Sequence, residues 1–535
     1  MGLFERIFPT WALNREITLH KLERVRTADI SRRNFEAVAG GRIQSGFISM
    51  SLDANSVNAN DSEKLRNQVR SLEINDGNIS GSISRISRNV IGSGIKFQSA
   101  VQADDKSKAP PFPTINQSMA DRWNYAADRE FRAWSKVADK RLICSFAEIQ
   151  DLCVQAMLRD GEVLVVMRDS NNKMRRVPLC LEVLEIDRLV TPAGLVSDKQ
   201  VRNGIRYDAE GVPVTYYVLR RHPGDTITYL DGSSLDYEEI PAFAPNGTRK
   251  VLHLFRPIRP EQSRGFSEFA SALSHIQNLH KYQEAEIVAA REAACLTGIV
   301  TTPSPADYVN SMTSSATVSD GSAYREREFS PGQWHVMAPG ETVQIFNPTR
   351  PTEQYGVFTK EILRSVANAV DIPVETLTQD WAGMNYSNAR TVLLQAQDMF
   401  REFQGYMIEH LCAPIWESLA HQLVFSGRLQ AQGFDRRKDD WLSSRWIPRG
   451  WSWVDPVKEA TGKQIDVAGG WETVTSICAA QGKDFDDVVE QRARELVKIR
   501  EVEEKYNVKF TAQQENDGAK QYDSEEVPED EHTAV

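Results

Sequence analysis

The side chains able to do chemistry are scattered along the chain, and none completes a catalytic pattern. Thr461-Gly462-Lys463 matches the end of a phosphate-binding loop. Val457 stands where the first glycine belongs, however, and Gln464 where a Ser or Thr would hold magnesium. Ser93-Gly94-Ile95-Lys96 fits the Ser-x-x-Lys spacing of a nucleophile and its base, but the pattern is short enough for chance and sits at a turn. The nine histidines form no His-Glu-x-x-His. His410 and Cys412 lie two apart on a predicted helix and so face different sides, which does not suit one metal ion. Asp160, Glu162, Glu182, Glu185 and Asp187 have no His or Cys beside them in sequence, and they read as solvated strand ends and ion pairs. Trp441, Trp446, Trp451, Trp453 and Trp471 could stack on bases, but no basic patch accompanies them, so packing is the simpler reading. No catalytic residue, metal or cofactor is expected.

Charge and composition narrow the classes further. The chain has 535 residues, enough for two to four domains, and at 41% hydrophobic and 26% charged most of it should fold. Residues 511–535 carry −7 of the formal net charge of −11, leaving −4 for the rest. A protein that grips DNA electrostatically carries a basic excess, which is missing here. The six cysteines are dispersed and form no Cys-x-x-Cys, which argues against disulfides and structural zinc. The first residues, MGLFERIFPTWALNREI, lack the apolar core of a secretory signal, and Arg6 breaks the myristoylation pattern. The longest apolar run, Val163 to Met167, is far too short for a membrane span.

The elements that must position these residues are α+β and mainly helical. Ser267 to Leu296 predicts one helix about 45 Å long, with Ser267 as N-cap and apolar residues at helical spacing. A polar stretch from Thr301 to Arg327 and some short strands follow, then a second helix from Gln354 to Val370. The chain thus runs out along one helix, makes an excursion and returns. Upstream, Asp61 to Asn89 predicts helix broken by Gly77 and Gly81. Met119–Lys136 and Ser145–Arg159 predict amphipathic helices, the second opened by a capping box at Ser145 and Glu148. From Gly161 to about Phe255 the period becomes that of strands. Asn388 to Phe425 predicts a second long helix, interrupted by Gly405 and Pro414. Residues 430–455 read as irregular and Val457–Lys505 as helix. The tail after 511 reads as disordered.

Several fragments in order carry a family resemblance. Arg259-Pro260-Glu261-Gln262-Ser263-Arg264-Gly265 precedes the first long helix. Ile372-Pro-Val-Glu-Thr-Leu-Thr-Gln-Asp380 leads to Asn385-Tyr-Ser-Asn-Ala-Arg390. RNVIGSGIKFQS (88–99), RDGEVLVV (159–166), LEVLEIDRL (181–189), HPGD (222–225) and WVDPVKE (453–459) also fit. Each is short, but their order and spacing from about residue 60 to 505 are specific. Together they resemble the portal proteins of lambda-type tailed bacteriophages. Asn388 stands where the family usually has a second Ser, and both residue types can cap a helix.

That resemblance implies a portal fold, with wing, stem, clip and crown regions around the axial channel of a dodecameric ring. Residues 1–60 would be an N-terminal arm, 61–266 the α+β wing, 267–297 a stem helix and 298–345 the clip. Residues 346–373 would be the returning stem helix, 374–388 the tunnel loop, 389–429 a long wing helix, 430–510 the crown side and 511–535 the acidic tail. The ring would sit at one capsid vertex of the virion after assembly in the host cytoplasm. It would pass double-stranded DNA inward at packaging and outward at ejection. Partners would be further copies of the chain, the terminase large subunit, the major capsid protein and head-completion or adaptor proteins, with no membrane. The tunnel-loop residues implied are Gln379, Asp380, Trp381, Gly383, Asn385, Tyr386 and Asn388. Docking of terminase or adaptor would fall to Arg325, Arg327 and Trp334. The alternatives are a capsid scaffold or adaptor without a channel, and a hydrolase using the α+β region.

Overall fold

The computed structural model describes residues 53–104, 114–225, 236–294, 298–301, 342–345, 354–451 and 456–506. The chain divides into two units, 1–57 and 58–535. Of the first, residues 53–57 are described, and there the Asp53 carboxylate accepts the Ser56 N–H at 3.3 Å. Helix α1 spans Ala54–Asn75 and α2 spans Gly77–Val90. Gly77 is the first residue of α2, entered through Asp76, whose carboxylate accepts the N–H of Asn78. Gly81 does not break the helix. It lies inside α2, where a Cβ would meet the Arg85 guanidinium at 3.0 Å.

Strand β1 (Lys96–Ser99) is followed by α3 (Gln117–Ser135) and α4 (Phe146–Asp160). The capping box of Ser145 and Glu148 is present at the start of α4. Phe131 and Trp134 of α3 join Phe97 and Phe146 in an aromatic core, with ring centroids 4.4 to 5.8 Å apart. Gly161, at φ +85°, turns the chain from α4 into β2 (Glu162–Asp169). Next come β3 (Leu179–Leu184), β4 (Val201–Arg202), β5 (Ile205–Tyr207), β6 (Pro213–Leu219), β7 (Tyr237–Pro241) and β8 (Val251–Phe255). They form two antiparallel sheets, ordered β3-β2-β8 and β4-β5-β6-β7. Both faces of β2 are buried. Val163, Val165 and Met167 join the helical core, while Leu164 and Val166 join a smaller core with Tyr216, Val218 and Ile240. That alternation is what a central strand with two covered faces requires.

Helix α5 spans Leu273–Ala294, so it starts later than predicted and is about 33 Å long. Ser267 is not its N-cap. The hydroxyl of Ser267 is buried; it donates to the Leu158 carbonyl and accepts the Phe269 N–H at 3.2 Å, and the turns that follow come before α5 begins. Strands β9 (Gly298–Thr301) and β10 (Thr342–Ile345) pair antiparallel, so the intervening excursion leaves and returns through one ribbon. Helix α6 (Gln354–Ala369) then packs on α5, with Tyr282 stacked on Tyr355 at 5.7 Å and edge-on to Phe358 at 4.9 Å. Asp371, at φ +54°, and Pro373 end this run and start the short helix α7 (Val374–Thr378).

Helix α8 spans Tyr386–Met407, two residues earlier than predicted at its start, and it runs through Gly405 without a break. A π-helical turn, Ile408–Cys412, joins it to α9 (Ala413–Phe425). Pro414 is the cause: it has no N–H for the carbonyl a turn earlier, and the helix widens there instead of ending. The 430–455 stretch is more regular than predicted, with α10 (Lys438–Trp441) and β11 (Ser444–Ile447), the latter paired with β1. Trp441 and Trp446 pack in the core and Trp471 is exposed. The described chain closes with α11 (Pro456–Ala468), α12 (Val474–Ala480) and α13 (Phe485–Tyr506).

Candidate functional site

The segment between α6 and α8 is shorter as a loop than the sequence suggests. Val374–Thr378 is helical, and Tyr386 and Asn388 belong to the first turn of α8. The irregular part is Gln379–Asn385. Gln379, at φ +61°, closes α7, and its side-chain amide donates to the Thr376 carbonyl. Asp380 Oδ2 lies 2.8 Å from Lys360 Nζ of α6, and its Oδ1 accepts the Ala382 N–H at 3.1 Å. The Lys360 ammonium, with that N–H, holds the Asp380 carboxyl below the usual carboxylate range. Gly383, at φ +80°, has open space around it. Asn385 caps α8 by accepting the Asn388 N–H at 2.8 Å.

Trp381 is half-buried against Met384, Tyr386, Ala389 and Leu393, which together line a small apolar depression. Gln379, Asn385, Tyr386 and Asn388 are exposed. The surface is therefore made of amides, two aromatic rings and one neutralised carboxylate. No base stands beside a nucleophile in it. Such a surface can touch a polyanion weakly without fixing it. Arg325, Arg327 and Trp334 lie outside the described residues.

A buried ionic junction fixes where this hairpin leaves the α+β region. Gly161 and Gly265 meet back to back. A Cβ on Gly265 would lie 2.1 Å from the Gly161 oxygen, and one on Gly161 would lie 2.1 Å from the Phe266 carbonyl carbon. Beside them Glu162 is fully buried. Its oxygens accept Arg264 Nε at 2.8 and 2.9 Å and the Gly265 N–H at 3.0 Å, and His253 Nε2 lies 2.9 Å away. Arg66 stands 3.7 Å from Glu162 and 3.4 Å from Asp187, and Arg70 bridges Asp160 at 2.7 Å and Asp187 at 2.6 Å. Burial alone would raise the Glu162 carboxyl, but Arg264 and His253 outweigh it and hold the group below its ordinary range. Burial pulls His253 below its ordinary range against the pull of Glu162, and its Nε2 faces the Glu162 carboxylate.

These partners correct the reading of the carboxylates as lying without histidine. His253 is 91 residues from Glu162 in sequence, and Arg264 is 102 away, so no local spacing could pair them. The glycines of Arg-Asp-Gly and Ser-Arg-Gly were the available signal. Glu185, Asp187 and His222 also come within 4.8 Å of one another. They do not suit a metal ion. The His222 Nδ1 accepts the Gly224 N–H at 2.9 Å, which leaves the ring hydrogen on Nε2, facing Glu185 at 3.2 Å, and Asp187 is already held by Arg66 and Arg70. No helix among the described residues is long and apolar enough to cross a membrane.

A sequence model of the family described as phage portal protein, lambda family, matches residues 40–404. The "Probable portal protein" of Halomonas phage phiHAP-1 is 27% identical over 504 residues, which is 93% of this chain and 92% of that protein. "Portal protein B" of Escherichia phage lambda is 22% identical over 417 residues, 71% of this chain and 76% of that protein. Among solved structures, a chain in the neck of an empty GTA particle aligns with a TM-score of 0.44 and 12% identity, covering 78% of this chain and 94% of that one.

Proposed function

Because the chain belongs to the lambda family of phage portal proteins, a structural and not a catalytic family, we propose that it forms a dodecameric ring at one capsid vertex. DNA enters through the axial channel during packaging and leaves through it at ejection. In this reading α5 and α6 are the stem, residues 298–345 the clip, and the Gln379–Asn385 loop the narrowest part of the channel. The two sheets and α8–α9 form the wing, and α11–α13 lie on the crown side. Terminase and head-completion proteins dock at the clip, through Arg325, Arg327 and Trp334. The major capsid protein surrounds the ring.

One observation carries the reading. The α5–β9–β10–α6 hairpin keeps apolar side chains facing water: Val357 is 67% exposed, Ile287 53% and Phe358 49%. Side-by-side packing of identical hairpins covers them, and a repeated head-to-tail contact closes into a ring. Twelve copies of a 60.3 kDa chain make a particle of about 724 kDa. Class-averaged electron images of the purified protein, alone and co-expressed with the capsid protein, should show rings with an axial opening. Monomers alone under both conditions would overturn the proposal and return the chain to a scaffold or adaptor without a channel.

A further inference from the structure

Arg85, Arg88 and Arg449 form a cluster of like charge beside the loop. Arg85 projects from α2 and donates to the Leu377 carbonyl, two residues before Gln379. Arg449 donates to the Arg88 carbonyl. Arg88 itself is exposed. Among the described residues no carboxylate lies within ion-pair distance of any of the three. Burial and the nearby charge of Arg88 both pull Arg85 and Arg449 below the usual guanidinium range. Two glycines make the room. A Cβ on Gly81 would stand 3.0 Å from the Arg85 Nη1, and one on Gly92 would stand 2.7 Å from the Arg449 Cδ.

Uncompensated guanidinium groups held together cost free energy, and an anion with several acceptor oxygens relieves it. Glu148 and Asp151 share a depression of about 480 Å³ with Arg88, but both are already engaged. Glu148 accepts Ser145 N–H and Oγ–H, and Asp151 accepts the Ser87 hydroxyl and the Gln155 amide. We infer that Arg85, Arg88 and Arg449 are a contact site for the backbone phosphates of duplex DNA, next to the Gln379–Asn385 loop. The inference rests on the portal reading. On a chain of net charge −11 a local arginine cluster lets the duplex be touched without a basic surface to grip it along its length.

The test uses the full-length protein and a 30-base-pair duplex of random sequence, with binding followed by fluorescence anisotropy as salt is varied. The slope of log K against log salt falls by about 0.9 for each phosphate contact removed. Arg88→Gln should lower it by about that much, and the triple Arg85→Gln, Arg88→Gln, Arg449→Gln variant by two to three times as much. Arg88→Lys should restore it. Arg494→Gln on α13 makes the same charge change elsewhere and should leave the slope alone. An unchanged slope in Arg88→Gln, or an equal loss in Arg494→Gln, overturns the inference. Inorganic phosphate that protects the cluster from arginine-selective modification, while duplex DNA does not, overturns the polynucleotide source. Ring formation is scored first by light scattering. Rings with an unchanged slope overturn this site alone, and absence of rings overturns the portal reading with it.

Discussion

Glu162 shows how much one buried carboxylate can organise. It holds a guanidinium, an imidazole and a backbone N–H from parts of the chain about 90 to 100 residues away. A buried ion pair is seldom a large net gain against an apolar replacement, but loss of one partner strands the other. Glu162→Gln keeps the shape but removes the buried negative charge that faces Arg264, while Arg66 keeps Asp187. It should cost about 3–5 kcal/mol in urea unfolding. A loss below about 1 kcal/mol would mean that water reaches the junction. Asp128 gives a pH test at the same scale. Its carboxyl is pushed up to about 7, mainly by burial and then by Asp484 and Asp487, against the Ser99 N–H and Arg132. Between about pH 4 and 7 the unfolded chain has lost this proton while the folded chain keeps it. The contribution of Asp128 to stability therefore falls as pH rises through that window and is level above it. Asp128→Asn should remove the slope. Unfolding midpoints that differ from the parent by the same amount at pH 5 and pH 7.5 would show that Asp128 does not titrate in this way.

At the scale of elements, α8 and the loop before it give opposite predictions. Gly405 is helical, exposed and free of neighbours within 4 Å, so Gly405→Ala should stabilise the subunit by about 0.5–1 kcal/mol. Destabilisation would place another copy of the chain against that face. In the loop, Gly383 supplies the left-handed joint and Trp381 the apolar anchor. Trp381→Ala and deletion of Gly383 should leave rings and procapsids intact but impair packaging or retention of DNA. Asp380→Asn releases Lys360 and so adds an unpaired cation at the loop. Its effect on filling and retention should be modest. Yields of filled heads decide the matter: normal filling and retention in all three variants would reduce the segment to an ordinary connection between helices.

At the scale of the whole molecule, net charge and exposed apolar side chains fall in different parts of the chain. Residues 511–535 carry most of the net negative charge and little that could be buried. The exposed apolar side chains of the hairpin need a neighbour. Assembly should therefore depend on the hairpin and not on the tail. Deletion of 511–535 should leave particle mass unchanged in light scattering, whereas Val357→Asp should lower it to that of smaller species. A truncated chain that fails to assemble would give the tail a structural role.

The sequence by itself determined what is local or repeated along the chain. The capping box at Ser145 and Glu148, the strand period after Gly161, the end of α6 before Pro373 and the out-and-back course around 298–345 all depend on residues within a few turns of each other. The ordered motifs pointed to the portal family for the same reason, because a motif is a spacing. Tertiary structure alone decided what depends on distant neighbours. Ser267 has the chemistry of an N-cap and accepts the Phe269 N–H, yet its hydroxyl is also held by the Leu158 carbonyl, only turns follow it, and α5 begins six residues later. Gly405 and Gly81 look like breakers, but the helices on both sides of them carry the chain through without a break. The partners of Glu162, and Arg449 beside the Arg85 and Arg88 of α2, come from segments far apart in the chain. Spacing records only which residues are near in sequence, whereas burial and Coulomb energy depend on which are near in space.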